Sequence, residues 1–569
     1  MTERISSLNL ISKPAWWHKP LLTLLDKLLG IAKMDKLYQA HQMAGLSKEA
    51  FADKLLEIQG IDIAQAETLL EQIPAEGPVV IASNHPFGGI EGVILARLIS
   101  QKRPDLQVFA NRALKVFSEL EDYFIFTNPL KPNDPKNAPS IRQALRHVKQ
   151  GNALLIFPAG RVSYYQSRYK SIIEHDWNKL VYSLTQKASA QFVPIFVQGF
   201  NRPLFYRLGR IYYRFRLLML ARELLANRNR TIQIDCGRAI KLPTLADQEQ
   251  GAALARALSY ANDSRWDYTW PADTVTSHKA LAAPTPPEQL FKELQGLPSE
   301  QALATVGEFT VYWSMQAQTP QIVDEIAMLR ERVFRMHNEG SGEPRDTDDF
   351  DATYTHLYVW HNTEQRIIGA YRMGRTDVLQ ADKGLEGLYL HKMFEFAPDF
   401  ANRQQPCLEM GRSFIIPEYQ RSPQGLFMLW RGIGEFANAF PQYQVLYGTV
   451  SISKLYRPQS VSIIEHGLID APEHVIPRNH FPFALHPQLK AYHDKYGLRD
   501  VVEDFLKCLE VDGKGLPVLA KQYQKLGAKF HALGIDTSFN HTPGLLLSVD
   551  LRQIPERVQK RYLGKVLAD

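Results

Sequence analysis

His85 and Glu91 are the side chains in the first half of this 569-residue chain whose types and spacing suit chemistry. They lie in Ser83-Asn84-His85-Pro86-Phe87-Gly88-Gly89-Ile90-Glu91-Gly92. A neutral imidazole can take a proton from a hydroxyl nucleophile, and a nearby carboxylate can orient the ring and stabilise the imidazolium. Asn84 and the amides around Gly88 and Gly89 suit the complementary task of holding a substrate, an oxyanion or a phosphate at a helix start. The competing reading is a glycine-rich turn carrying a surface histidine, since short motifs recur by chance.

The flanking sequence supplies elements to position the pair. Val79-Val80-Ile81-Ala82 reads as a buried strand, and the run from Val93 to Ile99 has helix length and an apolar face. Pro86 and Gly88-Gly89 suit a tight turn between them. Downstream come an amphipathic segment, 140–150, and a strand from Ala153 to Phe157 that runs into Pro158-Ala159-Gly160-Arg161. A further apolar strand covers 191–197.

The second half has a different order. After a helical segment, 288–303, come a strand at 309–313, a helix at 322–336 and an acidic loop holding Asp346, Asp348, Asp349 and Asp351. Strands at 355–360 and 367–373 follow, then Cys407 to Ile416 and a helix start near Gln424-Gly425. This is an α+β pattern. The acidic loop has the charge to hold a cation but lacks the glycine and terminal glutamate of an EF-hand, and a solvated loop is the alternative.

Length favours two domains, with a boundary near residue 285 in the proline-rich stretch Asp273–Pro287. Cys236, Cys407 and Cys508 are too scattered for a disulfide framework or a metal cluster, so a reducing compartment is expected. No signal peptide or spanning helix is expected. Residues 1–250 carry a balance of +11 and residues 251–569 one of −5, which points the first half toward an anionic surface. Two segments favour lipid over nucleic acid. Pro14–Tyr38 places Trp16, Trp17, Leu21, Leu24, Leu25, Leu28 and Leu29 on a helical spacing among lysines, and Tyr206–Arg230 mixes arginines with aromatic and leucine residues. Packing against the domain core is the alternative for both.

In order and spacing, residues 75–240 resemble the glycerolipid acyltransferase family, and the Asn-His-Pro-x-Gly-Gly-x-acid-Gly version is similar to its hemolysin-like, ornithine-lipid branch. Two departures are visible: the acid is Glu91, one residue late, and Ala159 stands where the family has Glu. The resemblance implies an α/β domain with His85 and Glu91 catalytic and Asn84, Gly88, Gly89, Arg112, Gly160 and Arg161 binding substrate. Residues 305–550 resemble the autoinducer-synthase-like branch of the GNAT superfamily through Arg330-x3-Phe334, Asp346-x-Asp348-x2-Asp351, Gly369-x2-Arg372 and Glu409-x2-Arg412. Closest in appearance is an ornithine N-acyltransferase that uses 3-hydroxyacyl carrier protein.

That resemblance implies an amine acylated from an acyl carrier protein thioester, without a resident cofactor or metal. Glu409 is expected as the base, Arg330 and Phe334 as part of the substrate site, and Asp346, Asp348 and Asp351 as partners of the substrate's ammonium groups. Arg372 or Arg412 would meet its carboxylate, and Arg421 with the amides near Gly425 the phosphopantetheine phosphate. A Glu409–Arg412 structural pair is the alternative. Together the halves resemble a bifunctional ornithine lipid synthase, peripheral on the cytoplasmic face of the inner membrane and binding no nucleic acid. Alternatives are a glycerophospholipid acyltransferase with a non-catalytic carrier-binding module, the same synthesis on lysine or glycine, and a membrane-damaging or scaffolding protein, which would need an export signal.

Overall fold

The structure is a computed structural model that describes residues 5–6, 18–111, 114, 117–128, 135, 137–167, 170–212, 216, 219–470 and 474–564. The chain forms two compact units, Met1–Asp267 with Leu485–Gly515 and Tyr268–Ala484 with Leu516–Asp569. The proline-rich stretch Asp273–Pro287 therefore belongs to the second unit.

The first unit is built on a seven-stranded sheet in the order Asp62–Ala64, Thr231–Cys236, Gln191–Val197, Val79–Ser83, Ala153–Ile156, Gln107–Asn111, Phe124–Thr127. All neighbours are parallel except Gln191–Val197 with Thr231–Cys236. Val79–Ser83 is central and wholly buried, which explains its unbroken apolar run. Successive parallel strands require crossovers, and helices Ile90–Lys102, Asn137–Lys149 and Leu180–Lys187 precede Gln107–Asn111, Ala153–Ile156 and Gln191–Val197 in turn. The loops leaving the carboxyl ends of Val79–Ser83 and Ala153–Ile156 carry His85 and Arg161. In open α/β sheets that edge is where ligands bind.

The second unit has an eight-stranded sheet in the order Ala302–Val306, Phe309–Met315, Thr355–His361, Arg366–Arg375, Cys407–Ile415, Val445–Ser451, Thr542–Asp550, Lys529–Asp536. Cys407–Ile415 and Val445–Ser451 form its parallel pair, joined by helix Pro423–Ala439. Their pairing runs from Cys407 opposite Val445 to Met410 opposite Gly448 and goes no further, so the two strands part at that point. Arg412 lies just beyond, at φ +50° in a register shift of Cys407–Ile415 against Arg366–Arg375. A β-bulge of this kind re-aims a side chain.

Three expectations change. The segment 288–303 divides into helix Pro287–Gln295 and the start of strand Ala302–Val306, because Gly296 and Pro298 end the helix. The leading apolar segment is two helices, His18–Leu29 and Ile31–Ala40, broken at Gly30 with φ +83°. Trp16 and Trp17 lie outside the described residues. In Tyr206–Arg230 the described parts are the end of helix Pro203–Ile211 and the short helix Leu220–Leu224; Tyr206 and Arg216 are buried rather than turned outward. No described helix is long and apolar enough to cross a membrane.

Candidate active sites

Helix Ile90–Lys102 starts immediately after Gly89, so Glu91 falls in its first turn with its carboxylate turned back over the loop. Its Oε1 accepts from the amides of Phe87 (2.9 Å) and Gly88 (2.8 Å), and Oε2 from that of Gly89 (2.9 Å). His85 Nδ1 lies 3.0 Å from Oε1. The carboxylate is wholly buried, which by itself favours the neutral acid. The imidazole and the amides outweigh this and hold Glu91 below the usual carboxylate range. Burial likewise disfavours a charged His85, but Glu91, with a smaller contribution from Glu174, raises it above 6.5. With Nδ1 turned to a carboxylate, the proton belongs on Nδ1 and the lone pair on Nε2 is the basic one.

Gly88 makes the turn possible. Its φ is +91°, and a Cβ there would come 2.5 Å from Val162 and 2.6 Å from Leu220. Gly160, φ +63°, closes the corresponding turn with its amide on Phe157 O, and the Phe157 ring packs 4.8 Å from the His85 ring. His85, Gly88, Gly89, Gly160 and Arg161 line one cavity of ≈ 800 Å³. Its other walls are largely apolar and include Met34, Leu37, Phe51, Val108 and Phe117. The second leading helix thus walls the cavity. A hydroxyl beside His85 would have an acyl-sized apolar space next to it, in a cavity that Arg161 also lines.

Asn84 has a different role from the expected substrate contact. It is buried, its amide donating to Val197 O (2.9 Å) and its carbonyl accepting from Val197 N (2.7 Å), so it ties the His85 loop to the neighbouring strand. Arg112 lies outside the described residues. The residue that sequence reasoning missed is Glu174. Its Oε1 accepts the His85 amide (2.7 Å), while Oε2 accepts from Trp177 (2.8 Å) and Tyr260 (3.2 Å). Burial raises its pKa despite the opposing effects of Arg256, Trp177 and the His85 amide. The sequence around Glu174, with His175 and Asp176 after it and Trp177 three residues on, carries no signal that marks this partner.

In the second unit the expected residues converge, but in a different arrangement. Arg330 donates to both oxygens of Asp351 (3.0 Å each) and its Nε lies 3.1 Å from Asp346. Arg372 bridges Asp348 (2.5 Å) and Asp351 (3.0 Å), and Arg412 lies 3.5 Å from Asp346 and 3.6 Å from Asp348. Asp346, Asp351, Arg330 and Arg372 are buried. Three carboxylates therefore meet three guanidiniums, correcting the expectation that the acidic loop is available to a substrate's ammonium groups. The sequence showed the carboxylates but not which arginines return to them.

Glu409 is also placed differently from a base facing an amine. Its Oε1 accepts from Tyr354 OH (2.8 Å) and, at 3.3 Å, from Leu390 N, while Oε2 accepts from Tyr447 OH (2.9 Å). Burial raises its pKa against those donors and Arg372. It is not paired with Arg412, whose Nη2 donates to Tyr389 OH (3.0 Å) and whose guanidinium lies over the rings of Phe539 (4.5 Å) and Tyr389 (4.9 Å). Phe334 packs edge-on against Phe539 at 5.0 Å. Arg421 is exposed just before Ser422, which caps helix Pro423–Ala439 through Gln424 N; Gly425 is buried against Ile415. An apolar cavity of ≈ 70 Å³ lies where the strands part, lined by Met410, Gly411, Gly448, Val450, Trp430 and Tyr447 among others.

A family model described as acyltransferase matches residues 26–257, and one described as acetyltransferase (GNAT) domain matches residues 329–431. The chain is 27% identical over 263 residues to a glycine N(alpha)-acyltransferase of Bacteroides thetaiotaomicron, covering 42% of this chain and 77% of that protein. It is 27% identical over 205 residues to a lyso-glycine lipid O-acyltransferase of Phocaeicola vulgatus, covering 34% and 67%. Among solved structures it is similar to the AHL synthase LasI, with 12% identity, 46% and 99% coverage and a TM-score of 0.25. The chain is an acyltransferase, with an acyltransferase domain in its N-terminal part and a GNAT domain in its C-terminal part.

Proposed function

We propose that the chain makes a diacylated amino-acid lipid in two steps. The GNAT domain transfers a 3-hydroxyacyl group from an acyl carrier protein thioester to the amine of an amino acid. The N-terminal domain then acylates the hydroxyl of that lyso-lipid. The observation that carries this reading is the His85–Glu91 pair at the wall of the ≈ 800 Å³ cavity, which Arg161 also lines; a guanidinium suits the carboxylate of the lyso-lipid. The relatives named for N-acylation of glycine and O-acylation of lyso-glycine lipid support the coupling of the two transfers.

The sequence resemblance favours ornithine as the amino acid. The neutralised acidic loop favours glycine, because none of Asp346, Asp348 and Asp351 is left over for a second ammonium group. The relatives named for glycine point the same way. We adopt the glycine reading. Expression in a host lacking aminolipids, with isotope-labelled glycine or ornithine and mass spectrometry of the extracted lipids, tests it. Label from glycine is expected in the new lipid, and label from ornithine would overturn the choice. A new acylated glycerophospholipid instead would favour a non-catalytic GNAT domain.

The same reading sets the protein against a membrane. Leu24 (57% exposed) and Leu28 (61%) project from the first helix, and Leu204 and Ile211 (75%) from helix Pro203–Ile211, with Arg202, Arg207 and Arg210 nearby in sequence. An apolar stripe beside cationic side chains suits the surface of an anionic bilayer.

A further inference from the structure

An amine that attacks a thioester must lose a proton, and both the expected base Glu409 and the acidic-loop carboxylates are occupied. Asp346, Asp348 and Asp351 are matched by arginines, and Glu409 is held between two tyrosines. Glu339 differs from all of them. It is 5% exposed, accepts from Ser451 Oγ at 2.9 Å through Oε2, and has no cation within ion-pair distance among the described residues.

Its position is fixed by the chain around it. Asn338, at φ +59°, turns the backbone after helix Pro320–Arg335, and Glu339 N donates back to Phe334 O. Ser453 Oγ, just past strand Val445–Ser451, donates to His337 O (2.8 Å), and Asn540 Nδ2, in the turn between Lys529–Asp536 and Thr542–Asp550, donates to Asn338 O (2.9 Å), so both hold this turn. Ser451 ends the strand that parts from Cys407–Ile415, and Arg412 stands beyond the parting on the other strand. The apolar cavity of ≈ 70 Å³ lies between the same two strands, with Val450, next to Ser451, in its wall.

We propose that Glu339 is the group that takes the proton of the attacking amine, an inference that rests on the N-acylation reading above. The amine nitrogen forms a bond to the thioester carbon, the C–S bond breaks, and its electron pair leaves with sulfur. The nitrogen's proton passes to the Glu339 carboxylate and from there to the thiolate or to water.

Burial pushes the Glu339 pKa up to about 7, against the opposing effects of Ser451 and Arg412. Other nearby charges are paired among themselves, Glu331 with Arg335 (2.7 Å) and Asp273 with Lys454. A base of this pKa is matched to work near neutral pH.

The test is the pH profile of kcat/KM for N-acylation by the full chain, with acyl carrier protein thioester and amino acid supplied. Wild type should lose activity as pH falls through about 7. Glu339→Gln should lose about 10²-fold and with it that acidic limb. Ser451→Ala, which removes the donor that lowers the Glu339 pKa, should move the limb to higher pH. Circular dichroism and the thermal melting of each variant against wild type report whether its GNAT unit is folded. If the limb persists in Glu339→Gln and stays put in Ser451→Ala, Glu339 is not the base. A limb abolished by Glu409→Gln instead overturns the proposal in favour of Glu409. A wild-type chain that never N-acylates refutes the underlying reading and is told apart from both by the wild-type arm alone.

Discussion

Glu91→Gln probes the first site at its most constrained atom. The carboxylate accepts three amides and faces the His85 ring, all within 3.0 Å. A carboxamide keeps one oxygen for Phe87 and Gly88 but turns an NH₂ toward the Gly89 amide, donor against donor. Leaving such buried donors unpaired costs about 1–3 kcal/mol. The imidazolium that forms on proton transfer also loses its counter-charge, and losses of about 10²–10⁴-fold accompany removal of such help. We expect O-acylation kcat/KM to fall about 10³-fold. The pH profile should move as well. Wild-type His85 must be neutral to act, and its pKa is raised above 6.5, so activity is lost as pH falls through that raised value. In Glu91→Gln burial acts with only Glu174 opposing it, so the limb moves to lower pH. The assay is acylation of purified lyso-lipid over pH 5 to 9. A variant of near-wild-type rate with an unmoved limb would refute the role of the pair.

Other substitutions test separate links. Gly88→Ala places a methyl 2.5 Å from Val162 in a left-handed backbone, and O-acylation should fall at least about tenfold while N-acylation holds. Asp351→Asn leaves Arg330 and Arg372 buried and half-paired, and urea unfolding of the GNAT domain should show a loss of about 3–5 kcal/mol. Because the Asp351 pKa is lowered, this stability is present above its ordinary 3.8 and is lost as pH falls toward the folded value. Leu24→Glu with Leu28→Glu should weaken co-flotation with anionic vesicles by about tenfold or more; unchanged flotation would make the first helix a packing element only.

Local signals were the legible part of this sequence. The buried run Val79–Ser83, the glycines that follow and the carboxylate in the next helix all fall within thirteen consecutive residues, so their order announces their geometry. What escaped depends on distant returns of the chain. Glu174 reaches the His85 amide from 89 residues away, and nothing in its neighbours marks that partner. The acidic loop reads as a free cation site until Arg330, Arg372 and Arg412 close on it from a helix and two strands. Glu409 and Arg412, three residues apart, look like partners, yet the bulge at Arg412 sends the two to different neighbours. The segment Leu485–Gly515 joins the first unit although it follows most of the second in sequence, an excursion that composition does not signal.

The central claim is that one chain performs two acyl transfers in a fixed order, and His85→Ala tests it most directly. Lipids extracted from an aminolipid-free host expressing this variant should contain the mono-acylated amino acid and lack the diacylated product, since removing the base of the second transfer leaves the first intact. Diacyl lipid at wild-type levels, or loss of both species from a folded variant, would contradict the account.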